Sequence, residues 1–420
     1  MKISVLCPHF APDTAPTGDV MTRIVTELAA LGHELHVVTS LPWYRTHGIE
    51  TAWQGRGIRR WVQRERTDWG TITRVNPFPG DDKGNLVRRA IGFAGFSALT
   101  GVASLPGGRV DAVIAMSPPL TLGLTGWITH LVRRGPLVFN IQDVFPDAAV
   151  RTGAITNRHV IALAHRLERI SYHRAAAVTV LSDDLRDNVV AKVKPSARER
   201  VHVIPNFVDT EFLQPGKRIN AVRAEWGIGD EPVVMYAGNV GFSQSLELLL
   251  AAAREMPDVT FVIVGDGAAR ASLGEQAAEL ANVRFAPYQP RERLNEVLAV
   301  GDLHVVPLRT GLGNVSVPSK TYSILAAGRP ILASIDAGTE VPRMVDASGA
   351  GRCVEPDRPD LFVDALRAMV ADPERLRQQG ESGRRWVEQA ASPAAVARQY
   401  DGILRSLPTS RRRTSRRHTS

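Results

Sequence analysis

Cysteine is almost absent from this sequence, since Cys7 and Cys353 are the only two in 420 residues. Two cysteines cannot build a disulfide framework or a cysteine-based zinc site. Several catalytic signatures are missing as well: the sequence contains no Walker A motif, no Gly-x-Gly-x-x-Gly after the first apolar segment, no HExxH and no Gly-x-Ser-x-Gly. These absences argue against P-loop ATPases, classical dehydrogenases, zinc hydrolases and serine hydrolases.

Long apolar runs are missing too. The longest uncharged stretch, residues 90–108, contains several glycine, serine and threonine residues and is too polar for a bilayer span. We expect a buried or surface-lying helix there. The short apolar segment at residues 1–6 soon meets Pro8 and Pro12, unlike the core of a signal peptide, and it predicts a first strand. Together with the scarcity of cysteine, this pattern favours the cytoplasm.

Positive charge is in excess and unevenly placed. The formal net charge is +8, and five arginines with no acidic residue lie in residues 409–420. This Arg-rich tail contains no apolar residue, so we expect it to be disordered. It can serve as an adhesive segment or as a solvated extension.

Apolar segments alternate with helical patterns along the whole chain, which is typical of α/β proteins with buried parallel strands. The predicted strands cover residues 2–7, 34–39, 112–115, 137–140, 177–181, 232–237, 260–264, 283–285, 303–307 and 331–333. A turn-rich segment near residues 205–209 separates two such series. The sequence therefore predicts two doubly wound α/β domains, at residues 1–205 and 206–390.

Two segments stand outside this alternation. Residues 391–408 form a last helical pattern with an apolar face and no strand after it, so this helix must pack on another element. Residues 53–74 are rich in arginine and tryptophan with weak periodicity, and we expect an irregular, mobile insertion in the first domain.

The first candidate binding element is the turn Gly238-Asn-Val-Gly241, which follows a predicted strand and precedes a helix with Ser243 as its expected cap. Glycines let a phosphate approach the backbone, and a helix N-terminus stabilises negative charge. The same pattern also describes an ordinary strand-to-helix turn. The turn Val264-Gly-Asp-Gly267 is of the same kind, and there we favour a structural role.

The second element is Gly311-Leu-Gly-Asn-Val-Ser-Val-Pro-Ser-Lys320, which precedes a predicted helix that Ser316 or Ser319 can cap. A lysine in the first turn of a helix opposes the helix dipole. A bound anion would reverse the sign of that conflict, so Lys320 after a loop of small residues indicates a diphosphate site. The alternative is an exposed lysine in contact with solvent.

These motifs, in this order, resemble the family 4 retaining glycosyltransferases, and most closely the branch that builds O-antigen and colanic-acid-type polysaccharides. The resemblance covers nearly the whole chain. It rests on Pro8-His-Phe-Ala-Pro-Asp13, Val203-Ile-Pro-Asn-Phe-Val-Asp209, Tyr236-Ala-Gly-Asn-Val-Gly241, Val264-Gly-Asp-Gly267 and Val317-Pro-Ser-Lys320 with Leu325-Ala-Ala-Gly-Arg-Pro330.

The resemblance implies the GT-B fold, in which two Rossmann-like domains face each other across a cleft. It also implies that the helix of residues 391–408 returns to the N-terminal domain. The nucleotide-sugar donor belongs to the second domain and the acceptor to the first. The chain would need no metal and no cofactor, because the nucleotide-sugar is itself a substrate. The implied donor-binding residues are Gly18, Gly238, Asn239, Gly241, Gln244, Ser319, Lys320 and Glu340, with His9 on the acceptor side and Asp143 and Lys320 as catalytic residues.

The sequence departs from the family pattern at three places. The usual Arg and Lys after the glycine turn correspond to Asn239 and Gln244, so support for the diphosphate depends more on Lys320. The acids of the Glu-x7-Glu element correspond to Val315 and Ser323, and Glu340 is the remaining candidate. The family's His-Asp pair reads Gln142-Asp143. This makes Asp143 the candidate for a polar catalytic contact, or else a residue that caps the turn after its strand.

The sequence leaves three functions open. The first is transfer of a sugar from a nucleotide diphosphate to a lipid-linked or glycolipid acceptor for the cell envelope. The second, a non-hydrolysing nucleotide-sugar epimerase, would need paired acids and histidines that these motifs do not include. The third, nucleic-acid binding through the Arg-rich tail, finds no matching motif in the body of the chain.

A lipid-linked acceptor implies that the protein works as a peripheral protein on the inner face of the plasma membrane. Three features favour an anionic bilayer as a partner: the Arg-rich tail, Arg88 and Arg89 before the uncharged stretch, and Arg133 and Arg134 after the apolar residues 120–132. The alternative is that the uncharged stretch is core and the tail is only a soluble extension.

Overall fold

The computed structural model describes residues 1–13, 15–44, 48–54, 62–77, 86–142, 144, 147, 157–313 and 318–408, apart from the side chains of residues 16 and 86–91. Contacts between Cα atoms divide the chain into two units. Unit 1 comprises Met1–Pro205 and the chain from Val396 onward, and unit 2 comprises Asn206–Ala395. Each unit is an α/β domain built around a sheet of mainly parallel strands.

The sheet of unit 1 contains β1 (Lys2–Leu6), β2 (Glu34–Ser40), β3 (Val62–Thr67), β4 (Gly70–Val75), β5 (Ala112–Ser117), β6 (Leu137–Ile141), β7 (Ala177–Val180) and β8 (Val201–Val203). Their order is β3-β4-β2-β1-β5-β6-β7-β8, and only the pairing of β3 with β4 is antiparallel. In the middle, Val5 lies opposite Val37 and Ile114. These three residues are buried, as the apolar runs predict for strands covered on both faces.

The helices that follow the strands of unit 1 are α1 (Pro16–Ala30), α2 (Leu86–Ser104), α3 (Thr121–Arg133), α4 (Arg158–Arg174) and α5 (Asp183–Lys192). Helix α3 packs against both α2 and α4, so these three helices form one layer. Phe96 of α2, Leu122 of α3 and Tyr172 of α4 belong to one buried cluster with Phe139 of the sheet. This cluster is the core of unit 1.

The expectation of an irregular insertion at residues 53–74 is wrong for its described second half. Strands β3 and β4 form an antiparallel hairpin, and β4 also pairs in parallel with β2. β-branched residues recur through both strands, and Ile72, Thr73 and Val75 are buried. Arginines interrupt the apolar pattern of these strands in the sequence. One of them, Arg74, is nevertheless only 1% exposed, because the Glu65 carboxylate pairs with it at 2.6 Å.

The sheet of unit 2 contains β9 (Val233–Ala237), β10 (Thr260–Val264), β11 (Val283–Ala286), β12 (Leu303–Pro307), β13 (Ile331–Ser334) and β14 (Gly351–Val354). All pairs are parallel and the order is β11-β10-β9-β12-β13-β14. The order reverses between β9 and β12. In open α/β sheets, ligands bind beyond the carboxyl ends of the strands at such a switch point.

The helices of unit 2 are α6 (Ala221–Glu225), α7 (Glu247–Glu255), α8 (Arg270–Gln276), α9 (Leu294–Val300), α10 (Lys320–Ala326), α11 (Glu340–Ser348), α12 (Pro359–Val370) and α13 (Pro373–Ala390). Ser243 does not cap a helix, contrary to expectation, because α7 begins four residues later and has Leu246 at its cap position. The Ser243 carbonyl instead accepts a hydrogen bond from Arg309 N–H.

The last helix, α14 (Pro393–Ser406), begins in unit 2 and continues into unit 1. Its buried Tyr400 accepts a hydrogen bond from the Asn140 amide of β6 at 2.6 Å. Asp401 accepts a second one, from His33 at 2.8 Å. The apolar face at Val396, Tyr400 and Leu404 is therefore buried, with polar contacts to unit 1 beside it.

No helix in the described part of the chain is long and apolar enough to cross a bilayer. The uncharged stretch of residues 90–108 lies mainly in α2, which buries Phe96, Thr100 and Ala103. Arg133 is 1% exposed and donates to the carbonyls of Ser104 and Gly108. Its expected role as a basic residue at a membrane surface is therefore wrong, because its guanidinium joins α3 to α2 inside unit 1.

Candidate functional site

The candidate site of unit 2 is centred on the carboxyl end of β9. Gly238 has a φ of +147° and comes so close to Lys320 that a Cβ at this position would lie 2.9 Å from Lys320 Nζ. Few residues other than glycine adopt this backbone conformation. The Gly238 turn and the first residue of α10 thus meet in space, although 82 positions separate them in the sequence.

Lys320 donates a hydrogen bond to Tyr236 Oη at 2.6 Å, and its Nζ lies 3.9 Å from the centre of the Tyr236 ring. Tyr236 in turn donates to the Asn239 carbonyl at 2.6 Å. Burial lowers the pKa of Lys320 from 10.5 to about 7. Among the described residues, no carboxylate lies within 4.0 Å of this ammonium. The alternative of an exposed lysine is therefore wrong, because the ammonium lies against the Tyr236 ring and has no carboxylate partner among the described residues.

Asn239, Gly241 and Gln244 form one side of the same turn. Gly241 N–H donates to Gln244 Oε1 at 3.1 Å. A Cβ at Gly241 would lie 2.7 Å from Asn239 Nδ2 and 2.8 Å from Gln244 Oε1. The side-chain amides of Asn239 and Gln244 therefore lie on either side of Gly241.

The turn Val264-Gly-Asp-Gly267 supports this loop. Val240 N–H donates to the Asp266 carbonyl at 2.9 Å, and Gly238 N–H donates to the Val264 carbonyl at 2.9 Å. A Cβ at Gly267 would lie 2.4 Å from the Val240 carbonyl oxygen. These contacts agree with a structural role for the turn.

Two carboxylates that the sequence analysis missed hold the loop after β12. Asp336 accepts hydrogen bonds from Gly311 N–H at 2.9 Å and from Gly313 N–H at 3.0 Å. Asp357 accepts from Thr310 N–H at 3.0 Å. The amides of Gly311 and Gly313 therefore already bind an anionic group and are not free for a phosphate. The sequence did contain a signal for these two residues, because Asp336 and Asp357 each follow the carboxyl end of a strand.

Ser319 and Glu340 lie at the starts of α10 and α11. Ser319 occupies the cap position of α10 without a capping hydrogen bond, so its expected cap does not form. Glu340 pairs with Arg343 at 3.3 Å, and its charge adds to burial in raising the pKa of the Tyr322 phenol of α10. Ser316, the other expected cap, lies outside the described residues.

In unit 1, His9 and Asp13 form a pair at the carboxyl end of β1. His9 Nδ1 lies 2.6 Å from the Asp13 carboxylate, which is buried and also accepts Tyr44 N–H at 3.1 Å. The His9 ring stacks on Trp43 at a centroid distance of 5.6 Å. A Cβ at Gly18 would lie 2.9 Å from His9 Cβ, so Gly18 lets the His9 loop pack on α1.

Asp143 lies outside the described residues. Its neighbour Gln142, which replaces the family histidine, is buried and donates to Asn140 Oδ1 at 2.9 Å. The Gln142 side chain thus takes part in the Asn140–Tyr400 network of unit 1.

One group in the described part of the chain brings together enough metal-binding side chains to hold an ion: Asp147, His165 and Glu168. Lys192 Nζ already donates to Asp147 at 2.7 Å and to Glu168 at 2.8 Å. A single ammonium therefore bridges both carboxylates, and its contact with Glu168 joins α4 to α5.

Each of the two units matches a known protein family. Residues 17–206 match the family "Glycosyl transferase 4-like domain", and residues 231–372 match "Glycosyl transferases group 1". A protein of Escherichia coli strain K12 named as a candidate colanic acid biosynthesis glycosyl transferase, WcaI, is 27% identical, with 96% of this chain and 100% of that protein covered.

Solved structures show the same fold at low sequence identity. The sucrose-phosphate synthase of Thermosynechococcus elongatus superposes with a TM-score of 0.68 at 18% identity, over 96% of this chain and 98% of that one. HepE of Anabaena, solved in complex with UDP, gives a TM-score of 0.64 at 16% identity, over 97% of this chain and 100% of that one. We conclude from the sequence motifs, the two parallel-sheet units and these matches that the chain belongs to the family 4 glycosyltransferases and has the GT-B fold.

Proposed function

We propose that this glycosyltransferase moves a sugar, with retention of configuration, from a nucleoside-diphosphate sugar to a lipid-linked or glycolipid acceptor in cell-envelope polysaccharide synthesis. The observation that carries the proposal is Lys320, a largely buried cation beside the Gly238 turn with no carboxylate partner among the described residues. A diphosphate would supply the missing negative charge.

Lys320 would act on the leaving group. As the bond between sugar and diphosphate breaks, negative charge grows on the diphosphate, and an ammonium already in position stabilises that charge without reorganising. Tyr236 positions this ammonium through its hydroxyl and its ring. We propose that Gly238, Asn239, Gly241, Gln244, Ser319 and Glu340 complete the donor site.

His9 is proposed for the acceptor side. Its contact with the Asp13 carboxylate orients the ring, and Trp43 and Tyr44 beside it supply aromatic surface on which a sugar can stack. Asp143 is proposed as a polar contact to the reacting sugar. Gly18, which packs against His9, is proposed to contact the donor as well.

The proposed acceptor is lipid-linked, so we propose that the protein binds the inner face of the plasma membrane as a peripheral protein. The outer face of α3 supports this, because Ile128, Leu131 and Val132 are 48%, 56% and 54% exposed. Val102 of the neighbouring α2 is 70% exposed. Apolar side chains on adjacent helices can enter the interfacial region of a bilayer.

A panel of nucleotide-sugars tests the donor half of the proposal. A ligand present at about 100 times its Kd adds roughly 2.7 kcal/mol of stability, so the correct donor should raise Tm clearly. With the donor known, transfer to membrane lipid extracts and NMR of the product anomer test acceptor class and retention. A product of inverted configuration, or epimerised donor without transfer, would contradict the proposal.

Sedimentation with anionic vesicles at low salt tests the membrane half. We expect the full chain to pellet, and pelleting to weaken as salt rises. A chain that ends at residue 408 reports the contribution of the Arg-rich tail. If neither chain pellets, the membrane half of the proposal is wrong.

A further inference from the structure

A shallow concavity of about 580 Å³ lies between α3, α4 and the turn after α5 in unit 1. Arg166, Arg169, Arg174 and Lys194 line it, with Trp127 of α3 on one wall. Among the residues that the structure describes, no acidic side chain lines the concavity. Its lining is therefore strongly positive.

The cations of this pocket differ from Arg218 of unit 2 in their ion pairing. Among the described residues, no carboxylate lies within 4.0 Å of Arg166, Arg174 or Lys194. In unit 2, by contrast, Arg218 pairs with Asp302 at 2.7 Å. Like charges held close together repel each other, and the repulsion is relieved when an anion binds among them.

The walls of the pocket are held in place. The Arg174 guanidinium lies 4.4 Å from the centre of the Trp127 ring, which joins α4 to α3. His173 Nδ1–H donates to the Arg169 carbonyl at 2.7 Å, and its Nε2 accepts Lys194 N–H at 3.3 Å. The imidazole thus ties the Lys194 turn to α4, the helix that carries the three arginines of the pocket.

We propose that this pocket binds the phosphate group of a phosphate ester, either a soluble sugar phosphate or the headgroup of an anionic lipid. Guanidinium groups match phosphate oxygens with paired hydrogen bonds, and an ammonium adds a point charge. The exposed apolar face of α3 lies on the same helix as Trp127, which suits a lipid source. The lipid source rests on the proposed membrane function, whereas the phosphate chemistry rests on these side chains alone.

The test compares two triple variants of the full chain. The pocket variant is Arg166→Gln, Arg174→Gln and Lys194→Gln. The control variant is Arg254→Gln, Arg352→Gln and Arg375→Gln, which removes the same charge from unit 2. Binding of sn-glycerol 1-phosphate is measured by calorimetry, and binding to phosphatidylglycerol vesicles by sedimentation, with phosphatidylcholine vesicles for comparison.

Loss of three basic residues should weaken binding of the pocket variant by roughly 100-fold, whereas the control variant should bind about as the unaltered chain does. Loss of binding to both probes identifies a lipid headgroup, and loss for glycerol phosphate alone identifies a soluble phosphate. Equal loss in both triple variants, or no loss in the pocket variant, overturns the proposal. Lys320→Ala should leave glycerol phosphate binding unchanged, which separates this pocket from the donor site.

Discussion

The ammonium of Lys320 lies 2.6 Å from Tyr236 Oη and 3.9 Å from the centre of the same ring, so one aromatic side chain holds this cation in two ways. Tyr236 is fully buried and belongs to β9, whereas Lys320 begins α10. The contact ties the start of α10 to the turn that follows β9. It leaves the positive charge beside Gly238, where the backbone has no side chain to shield it.

Lys320→Ala should weaken donor binding roughly 10- to 100-fold, because a hydrogen bond to a charged group contributes about 1.5–3 kcal/mol. The fold should survive, since removing a buried cation without a carboxylate partner also removes its desolvation cost. Calorimetry with the donor and a Tm measurement check both parts. Lys217→Ala, an exposed lysine of the same unit, is the matched control. Unchanged donor affinity in Lys320→Ala would remove this residue from the site.

Donor binding should weaken as pH rises above about 7, the lowered pKa of Lys320 in the free protein. Above that pH, the lysine must take up a proton before it can pair with the diphosphate, so binding and proton uptake are linked. Calorimetry in buffers of different ionisation enthalpy measures this uptake. The pH dependence should disappear in Lys320→Ala, and its persistence there would assign it to another group.

The same pKa shift predicts a change in stability. The unfolded chain keeps its Lys320 proton up to the ordinary pKa of 10.5, whereas the folded chain loses it near 7. Between these values the unfolded state binds more protons, so this residue makes the free energy of unfolding rise with pH. Lys320→Met should therefore gain stability relative to the unaltered chain at pH 7 and gain less at pH 10. Urea unfolding at the two pH values measures the difference, and an equal gain at both would contradict it.

Gly238→Ala should lower stability by about 1–3 kcal/mol, since a φ of +147° is strained for any residue with a Cβ. Donor affinity should fall as well, because the new methyl group would lie 2.9 Å from Lys320 Nζ. Gly402→Ala is the control: its Cβ meets nothing within 4 Å and it lies inside α14, so stability should rise by about 0.5–1 kcal/mol. Similar effects of both substitutions on stability would show that the Gly238 conformation carries no special strain.

EDTA should leave transfer activity largely intact. The one described group able to share an ion, Asp147, His165 and Glu168, already binds the Lys192 ammonium. The measurement is the transfer rate before and after EDTA, with magnesium or manganese added back. Loss of activity that either metal restores would show that a divalent ion takes part.

Much of the fold was predictable. The ten predicted strands all occur, each with ends within two residues of the observed ones, because buried parallel strands leave continuous apolar runs. The hairpin at β3 and β4 was not predicted, because arginines interrupt the apolar pattern there and the burial of Arg74 depends on its ion pair with Glu65. Arg133 was expected at a membrane surface because of its charge, but it is buried and donates to the carbonyls of Ser104 and Gly108.

The sequence by itself determined the family, the order of the strands along the chain and the glycines that keep the turns open. Those features depend on residue type and local spacing, which the sequence contains in full. Only the tertiary structure decided that Lys320 packs against Tyr236 and that Asp336 occupies the amides of Gly311 and Gly313. It also decided that Arg166, Arg174 and Lys194 line one pocket without a carboxylate partner among the described residues. These features depend on which side chains, distant in the sequence, come into contact. Burial and ion pairing set the free energy of an ionised side chain, and both depend on its neighbours in the folded chain.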